Sequence, residues 1–164
     1  MIGRLKNVAD KSRAVEEVIN IVFGKAMKEY AEILNDISQE TRFECMERAV
    51  SCLLDNILPH ENKILLILKI APNFSNHPAM LPVKKHFKNL NFEMAKKAYP
   101  NLDDKKLNQN IQISFEAMIG NVMSYIQAEE KMITKDDLKD GLSILFISFS
   151  EKLNAASHQQ NEAA

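Results

Sequence analysis

Glycine and proline are scarce in this chain, and this scarcity limits its possible folds more than any other feature. The 164 residues include four glycines and five prolines, so few positions force the backbone to turn. Between these positions, apolar side chains recur at helical spacing, and Ala, Leu, Ile, Glu, Lys and Met are abundant. We therefore predict an all-α protein, an antiparallel helical bundle of about six helices.

Turn residues and caps set the predicted boundaries. Asp10, Ser38 and Thr134 are the expected N-caps of the first, second and sixth helices, because short polar side chains accept the free N–H groups there. We predict helices over residues 11–37, 39–57, 60–71, 79–99, 103–130 and 135–153. The predicted organisation is an N-terminal segment over residues 1–10, one helical domain over 11–154, and a polar, frayed tail over 155–164.

Composition argues against several classes of protein. The formal net charge is −1 and the sequence pI is about 6.4, whereas a chain that coats nucleic acid carries a strong excess of Lys and Arg. No apolar run reaches the roughly 20 residues that a membrane span needs, and the basic N-terminus lacks the apolar region of a signal peptide. Two cysteines are too few for a disulfide framework. These observations favour a reduced, cytoplasmic protein without membrane contact.

The sequence lacks recognisable catalytic or metal-binding patterns. Its four histidines form no known metal motif, and it contains no G-x-S-x-G, P-loop or G-x-G-x-x-G segment. Cys45 and Cys52 lie about 10 Å apart along one predicted helix, which is too far for a disulfide and typical of small buried apolar residues. We therefore expect no enzyme activity, no metal and no cofactor.

Methionine and phenylalanine are the one compositional hint of a ligand site. Such side chains adapt their packing, so a pocket between the helices is one interpretation and an ordinary core is the other. The candidate pocket residues are Phe43, Met46, Phe87, Met94, Phe115, Met118 and Asn121, and Asn89, Ser114 and Tyr125 are further candidate polar partners.

The last two predicted helices are apolar on more than one side. Residues 140–150 read DGLSILFISFS, and a short turn at 129–134 makes helices five and six antiparallel neighbours. If one face of each helix meets the rest of the domain, a second apolar face is left over. An identical copy related by a two-fold axis is the simplest cover. The predicted dimer interface comprises Ile119, Met123, Ile126, Ile144, Phe146 and Ile147.

Three segments resemble the regulatory domain of tetracycline-repressor-type (TetR-family) regulators. Residues 10–34 are similar to the connecting helix, residues 65–102 to a short buried helix, a His-Pro loop and a long helix, and residues 98–153 to the final two helices. Such regulators normally begin with about 45 residues that form a helix-turn-helix head. Here only MIGRLKNVA precedes the first helix, so the head is expected to be absent, with Arg4, Lys6, Lys11 and Arg13 as a remnant.

The resemblance implies a function. It indicates the regulatory domain of a repressor-type transcription regulator, homodimeric and able to sense a small apolar ligand, with DNA contacted only through the missing head. The alternative is a helical protein–protein interaction or adaptor protein that binds neither ligand nor DNA.

Overall fold

The part of the chain that the structure describes is mostly helical, with short turns between the helices. A computed structural model describes residues 8–35, 42–98 and 100–162. The helices are α1 (Val8–Asn35), α2 (Arg42–Ile57), α3 (Glu61–Ile70), α4 (Met80–Ala98), α5 (Asp104–Gln127) and α6 (Lys135–Glu162). Short 3-10 turns lie at Leu58–His60 and Phe74–Asn76, and none of the described residues forms a strand. The predicted all-α class is confirmed.

Local sequence explains most helix ends. Pro59 lies in the 3-10 turn between α2 and α3, Pro72 follows the end of α3, and Pro82 lies in the first turn of α4, where its missing N–H costs nothing. Before α6, the Thr134 hydroxyl accepts a hydrogen bond from the backbone N–H of Asp137 at 3.1 Å. The Asp137 carboxylate accepts one from the Thr134 N–H at 2.8 Å. This reciprocal pair is a capping box, and Thr134 is the predicted cap.

Three predicted ends differ from the structure or lie outside it. α1 begins at Val8, so Asp10 lies in its first turn and is not its N-cap. Ser38 lies outside the described residues. The predicted end of the sixth helix at residue 153 is wrong, because α6 continues to Glu162, and the polar, frayed tail over 155–164 stays a prediction. Neither Gly nor Pro occurs in this segment, and its Ala, Gln and Glu residues favour a helix.

Five of the helices pack in a closed ring. α1 packs against α2, α2 against α6, α6 against α5, α5 against α4, and α4 against α1. The short helix α3 contacts both α1 and α5. Each helix of the ring therefore has a neighbour on two sides, and the apolar core is shared among all of them.

The ring corrects the prediction that helices five and six form a peripheral hairpin with a bare second face. Four of the six predicted interface side chains are buried in their own chain: Ile119, Met123, Ile126 and Phe146. Ile147 is half-buried. Only Ile144 is largely exposed, at 62%. α6 packs against both α2 and α5 of its own chain.

Candidate functional site

Three aromatic rings meet where α1, α4 and α5 adjoin. Phe87 of α4 stacks on Tyr30 of α1 with a centroid separation of 5.5 Å and an interplanar angle of 16°. Phe115 of α5 lies 4.9 Å from Phe87 at a tilt of 58°. All three side chains are buried. We call these three residues the ring cluster. Its separations are those of favourable aromatic pairs, so the rings fill this part of the core with direct contacts.

A polar connection crosses this apolar region and was missed by sequence reasoning. The Tyr30 hydroxyl donates a hydrogen bond to Oδ1 of Asn91 at 2.9 Å, and Nδ2 of Asn91 donates to the Phe87 carbonyl oxygen at 2.8 Å. Burial is the main reason why the pKa of Tyr30 is raised, so its hydroxyl remains a neutral donor. Asn91 lies one helical turn after Phe87, and this spacing is the only sequence signal of the connection.

The predicted pocket residues have different surroundings. Phe87, Phe115 and Met118 are buried in the common core, and Met46 and Met94 are half-buried against it. Asn121 is exposed and donates its amide hydrogen to the carbonyl oxygen of Ala117, in its own helix, at 2.7 Å. The side chain of Phe43 lies outside the described residues. The structure thus brings part of the predicted set together in the core and leaves Asn121 at the surface.

The other candidate polar partners are also accounted for. Ser114 is buried and donates to the Asn110 carbonyl oxygen of its own helix at 2.8 Å. Asn89 is exposed, and Tyr125 is half-buried with the Lys131 ammonium 4.6 Å from its ring centroid. The polar atom that reaches the ring cluster belongs instead to Asn91.

The outer sides of α5 and α6 carry isolated apolar side chains. Ile113 of α5 is 55% exposed and Ile144 of α6 is 62% exposed. Gly120 and Gly141 lie on exposed parts of the same two helices, and a Cβ added to either would meet no atom within 4 Å. At the two glycines, the helix backbone is therefore exposed without a side chain over it. We call Ile113, Gly120, Gly141 and Ile144 the outer residues of the hairpin.

Ion pairs tie the α5–α6 hairpin to α2 and α3. Lys135 of α6 pairs with Asp55 of α2, and Lys139 Nζ lies 3.7 Å from Oε1 of Glu47. Lys131, in the turn between α5 and α6, pairs with Glu61 at 2.9 Å. Its ammonium group also donates to the carbonyl oxygens of Tyr125 and Ile126 at the end of α5. A lysine at a helix C-terminus satisfies carbonyl groups that lack partners within the helix.

A polar cleft lies between α1 and α2. It has a volume of about 530 Å³ and opens to solvent. Its lining is mixed, with carboxylates, a guanidinium, a thiol, an amide, a hydroxyl and one apolar side chain: Glu29, Glu32, Ile33, Arg48, Ser51, Cys52, Asp55 and Asn56. We call it the α1–α2 cleft. Sequence reasoning missed it, because its walls come from two helices and belong to no motif.

Hydrogen bonds hold one wall of this cleft in place. Asn56 Nδ2 donates to Oε2 of Glu29 at 2.7 Å and to the Cys52 carbonyl oxygen at 2.9 Å, and the Cys52 thiol donates to the same Oε2 at 3.7 Å. The hydrogen bond from Asn56 is the main reason why the pKa of Glu29 is below its usual value. Burial first, and the Glu29 charge second, raise the pKa of Cys52 to about 11. Cys52 is therefore a poor nucleophile near neutral pH.

Neither a metal site nor a membrane span is found among the described residues, and no similar protein is identified. Across residues 8–35, 42–98 and 100–162, no three His, Cys, Asp or Glu side chains are grouped as metal ligands would be. Within those same ranges, no helix combines the length and the apolar character that crossing a bilayer requires. Compared with protein-family models, curated proteins and solved structures, the chain gives no significant match.

Proposed function

We propose that this chain is the regulatory domain of a cytoplasmic TetR-type transcription regulator of the repressor type. In this proposal it is a homodimer, it has no enzyme activity, and it senses a small apolar ligand in its core. DNA would be contacted only through a helix-turn-helix head. The ring cluster is the observation that carries the proposal, because it joins the long first helix to α4 and α5 through side chains in direct contact.

The ring cluster supports a route from ligand to helix movement. A ligand that enters between Phe87 and Phe115 must displace one of the rings, because their centroids are only 4.9 Å apart. Phe87 also stacks on Tyr30, so its displacement acts on α1 through that contact. A change in the position of α1 would then alter the spacing of two DNA-binding heads in a dimer. Ligand binding would thus shift the population between two positions of α1. The size of this shift is limited by the difference between the ligand's affinities for the two positions.

The outer residues of the hairpin support the dimer. Ile113 and Ile144 expose apolar surface on the two helices that the family resemblance assigns to dimerisation. Single exposed apolar residues are common, and a specific dimer buries roughly 800 Å² on each partner. The interface must therefore extend to the polar residues around these two isoleucines. Gly120 and Gly141 allow close approach there, since no side chain projects from either helix at those positions.

A second candidate is a helical interaction domain that binds no ligand. It is favoured by the ring cluster itself, since rings in direct contact leave little room for a ligand without rearrangement. Such a domain would use the same outer residues against a different helical protein.

Thermal unfolding with a panel of apolar compounds separates the two candidates. For a ligand sensor, at least one compound raises the melting temperature of the wild-type chain, and Phe87→Trp reduces that rise because the larger ring occupies the same space. Leu81→Trp is the matched control, because this α4 side chain is 62% exposed and lies outside the cluster. If no compound shifts the melting temperature, the sensor is rejected and the interaction domain remains.

A further inference from the structure

Charged side chains are unevenly divided between α4 and α6. α4 carries five lysines and one glutamate, a net charge of +4 with His86 neutral. α6 carries three lysines and five acids, a net charge of −2. Both helices are neighbours of α5 in the ring. Charges of opposite sign are therefore concentrated on the two sides of α5.

Some of these charges are already paired within the chain. On α4, Lys84 and Lys96 pair with acids of α5. On α6, Lys135 and Lys139 pair with acids of α2, and the Asp137 carboxylate is held in the capping box. Pairing therefore uses two lysines of each helix, and it leaves most acids of α6 without a lysine of their own helix to offset them.

The remaining exposed charges have no ion-pair partner in the described part of the chain. On α4 they leave an excess of two positive charges: Lys85, Lys88 and Lys97 against Glu93. Over residues 135–153 of α6 they leave an excess of two negative charges: Asp136, Asp140 and Glu151 against Lys152. The ion pairs within the chain thus do not cancel the difference in charge between the two helices.

Two of these lysines lie where α4 borders α5. Lys88 is one helical turn after Lys84, whose ammonium group lies 3.0 Å from the Glu116 carboxylate of α5. Lys85 is three residues before Lys88 and is its neighbour on the exposed face. Glu116 is three residues after Ile113, so this border lies beside one of the outer residues of the hairpin. We call Lys85 and Lys88 the basic edge.

Two of the acids lie on either side of Ile144 on α6. Asp140 is four residues before Ile144 and Glu151 is seven residues after it, so the three side chains share one exposed face of the helix. We call Asp140 and Glu151 the acidic stripe. The stripe therefore adjoins the apolar side chain that the proposed function places in the dimer interface.

A two-fold axis that runs along α5 brings the two charged surfaces together. α4 and α6 lie on opposite sides of α5 in the ring. Rotation by 180° about such an axis exchanges these sides, so α4 of each copy faces α6 of the other. Opposite charges then meet at two equivalent places. An axis across α5 would instead place α4 against α4 and α6 against α6, where like charges repel.

We propose that the basic edge of one copy contacts the acidic stripe of a second copy, on both sides of the apolar contacts at Ile113 and Ile144. This inference rests on the proposed function, because it names charged contacts of the proposed homodimer. The partner is a second copy because each chain supplies both signs of charge, which makes the surface complementary to itself. Such exposed pairs set the orientation of the two copies more than they add affinity.

Charge reversal tests this pairing, because two variants that repel themselves should attract each other. Lys85→Glu/Lys88→Glu makes the edge acidic, and Asp140→Lys/Glu151→Lys makes the stripe basic. Each double variant alone should dimerise about a hundredfold more weakly than wild type in sedimentation equilibrium. An equal mixture should form a heterodimer, which native mass spectrometry detects when one variant is labelled with nitrogen-15. A chain with all four substitutions should form a homodimer again.

A matched control separates this pairing from an effect of net charge. Lys11→Glu/Lys28→Glu makes the same change in net charge as the reversed edge, at exposed positions of α1. α1 is not a neighbour of α5 or α6 in the ring, so this variant should dimerise as wild type does. Circular dichroism should show that every variant remains helical.

The outcomes distinguish this inference from the proposed function. It is supported if either reversal weakens a dimeric wild type and if both the mixture and the four-site chain restore dimerisation. It is overturned if neither reversal weakens the dimer or if the mixture forms no heterodimer, and both results leave the proposed regulatory dimer intact. Equal weakening by the α1 control would also overturn it, because net charge would then explain the effect. A monomeric wild type would overturn the inference and the proposed dimer together.

Discussion

Removing the hydroxyl of Tyr30 should destabilise the chain by a defined amount. Tyr30 is 1% exposed, and its hydroxyl donates to Asn91 at 2.9 Å, so Tyr30→Phe leaves the Asn91 oxygen without this donor. Losing a buried neutral hydrogen bond costs about 1 kcal/mol, and an unsatisfied buried acceptor costs roughly 1–3 kcal/mol. Asn91 is half-buried, so water can partly replace the donor. We expect a loss of about 1.5 kcal/mol.

Urea unfolding measures this loss directly. The midpoint should fall with an unchanged slope, and the melting temperature should drop by roughly 3–6 °C for a chain of this size. Tyr125→Phe is the control, because the Tyr125 hydroxyl has no hydrogen-bond partner among the described residues, and it should cost less than about 0.5 kcal/mol. In an Asn91→Ala background, Tyr30→Phe should also cost less than about 0.5 kcal/mol, because the acceptor is already gone.

Two results would refute this reasoning. One is a loss from Tyr30→Phe no larger than that from Tyr125→Phe. The other is a full loss in the Asn91→Ala background, since the hydroxyl would then act through another partner. Alkaline pH provides an independent check. Burial raises the pKa of folded Tyr30 above the value of about 10 expected in the unfolded chain, so its contribution is complete below pH 10 and declines at higher pH. The difference in stability between wild type and Tyr30→Phe should therefore narrow above pH 10.

Three further predictions concern the cap of α6, the cleft thiol and the core. Thr134→Val should cost about 1 kcal/mol in urea unfolding at pH 7. Hydrogen bonds from the Thr134 N–H and hydroxyl lower the pKa of Asp137, so they stabilise the fold only while this carboxylate is ionised. The cost of Thr134→Val should therefore shrink as the pH falls below about 4 and Asp137 becomes protonated. Because the pKa of Cys52 is raised to about 11, iodoacetamide should modify this thiol about a hundredfold more slowly at pH 8 than an ordinary thiol. Glu29→Gln should speed the reaction, because it removes a negative charge that raises this pKa. Peptide mapping of the modified chain measures both rates. Phe115→Ala should lower the free energy of unfolding by about 3–5 kcal/mol, measured with urea.

The all-α class and the cap at Thr134 could be predicted because both depend on short stretches of sequence. Helical spacing of apolar residues is read within a few turns, and the capping box spans only Thr134 to Asp137. The extension of α6 to Glu162 was missed for a related reason. A polar composition indicates exposure, but it does not by itself end a helix.

The surroundings of α6 could not be predicted, because they depend on which helices become neighbours. α6 has apolar side chains on more than one face, which indicates that more than one face is buried. The sequence does not show whether the second face packs against α2 of the same chain or against a second copy. Phe146 is buried within its own chain and Ile144 is not, although they are only two residues apart. The same limit applies to the α1–α2 cleft, where Glu29 and Asn56 meet across 27 positions of sequence.

The proposed regulatory function requires a dimer, so the oligomeric state tests it most directly. Sedimentation equilibrium at about 10 µM should show a dimer for the wild type and a monomer for Ile144→Asp, with both helical by circular dichroism. Ile21→Asp is the matched control, because Ile21 is 44% exposed on α1, and it should remain a dimer. A monomeric wild type, or an Ile144→Asp variant that sediments as a dimer, would contradict the assignment of the outer residues of the hairpin to dimerisation.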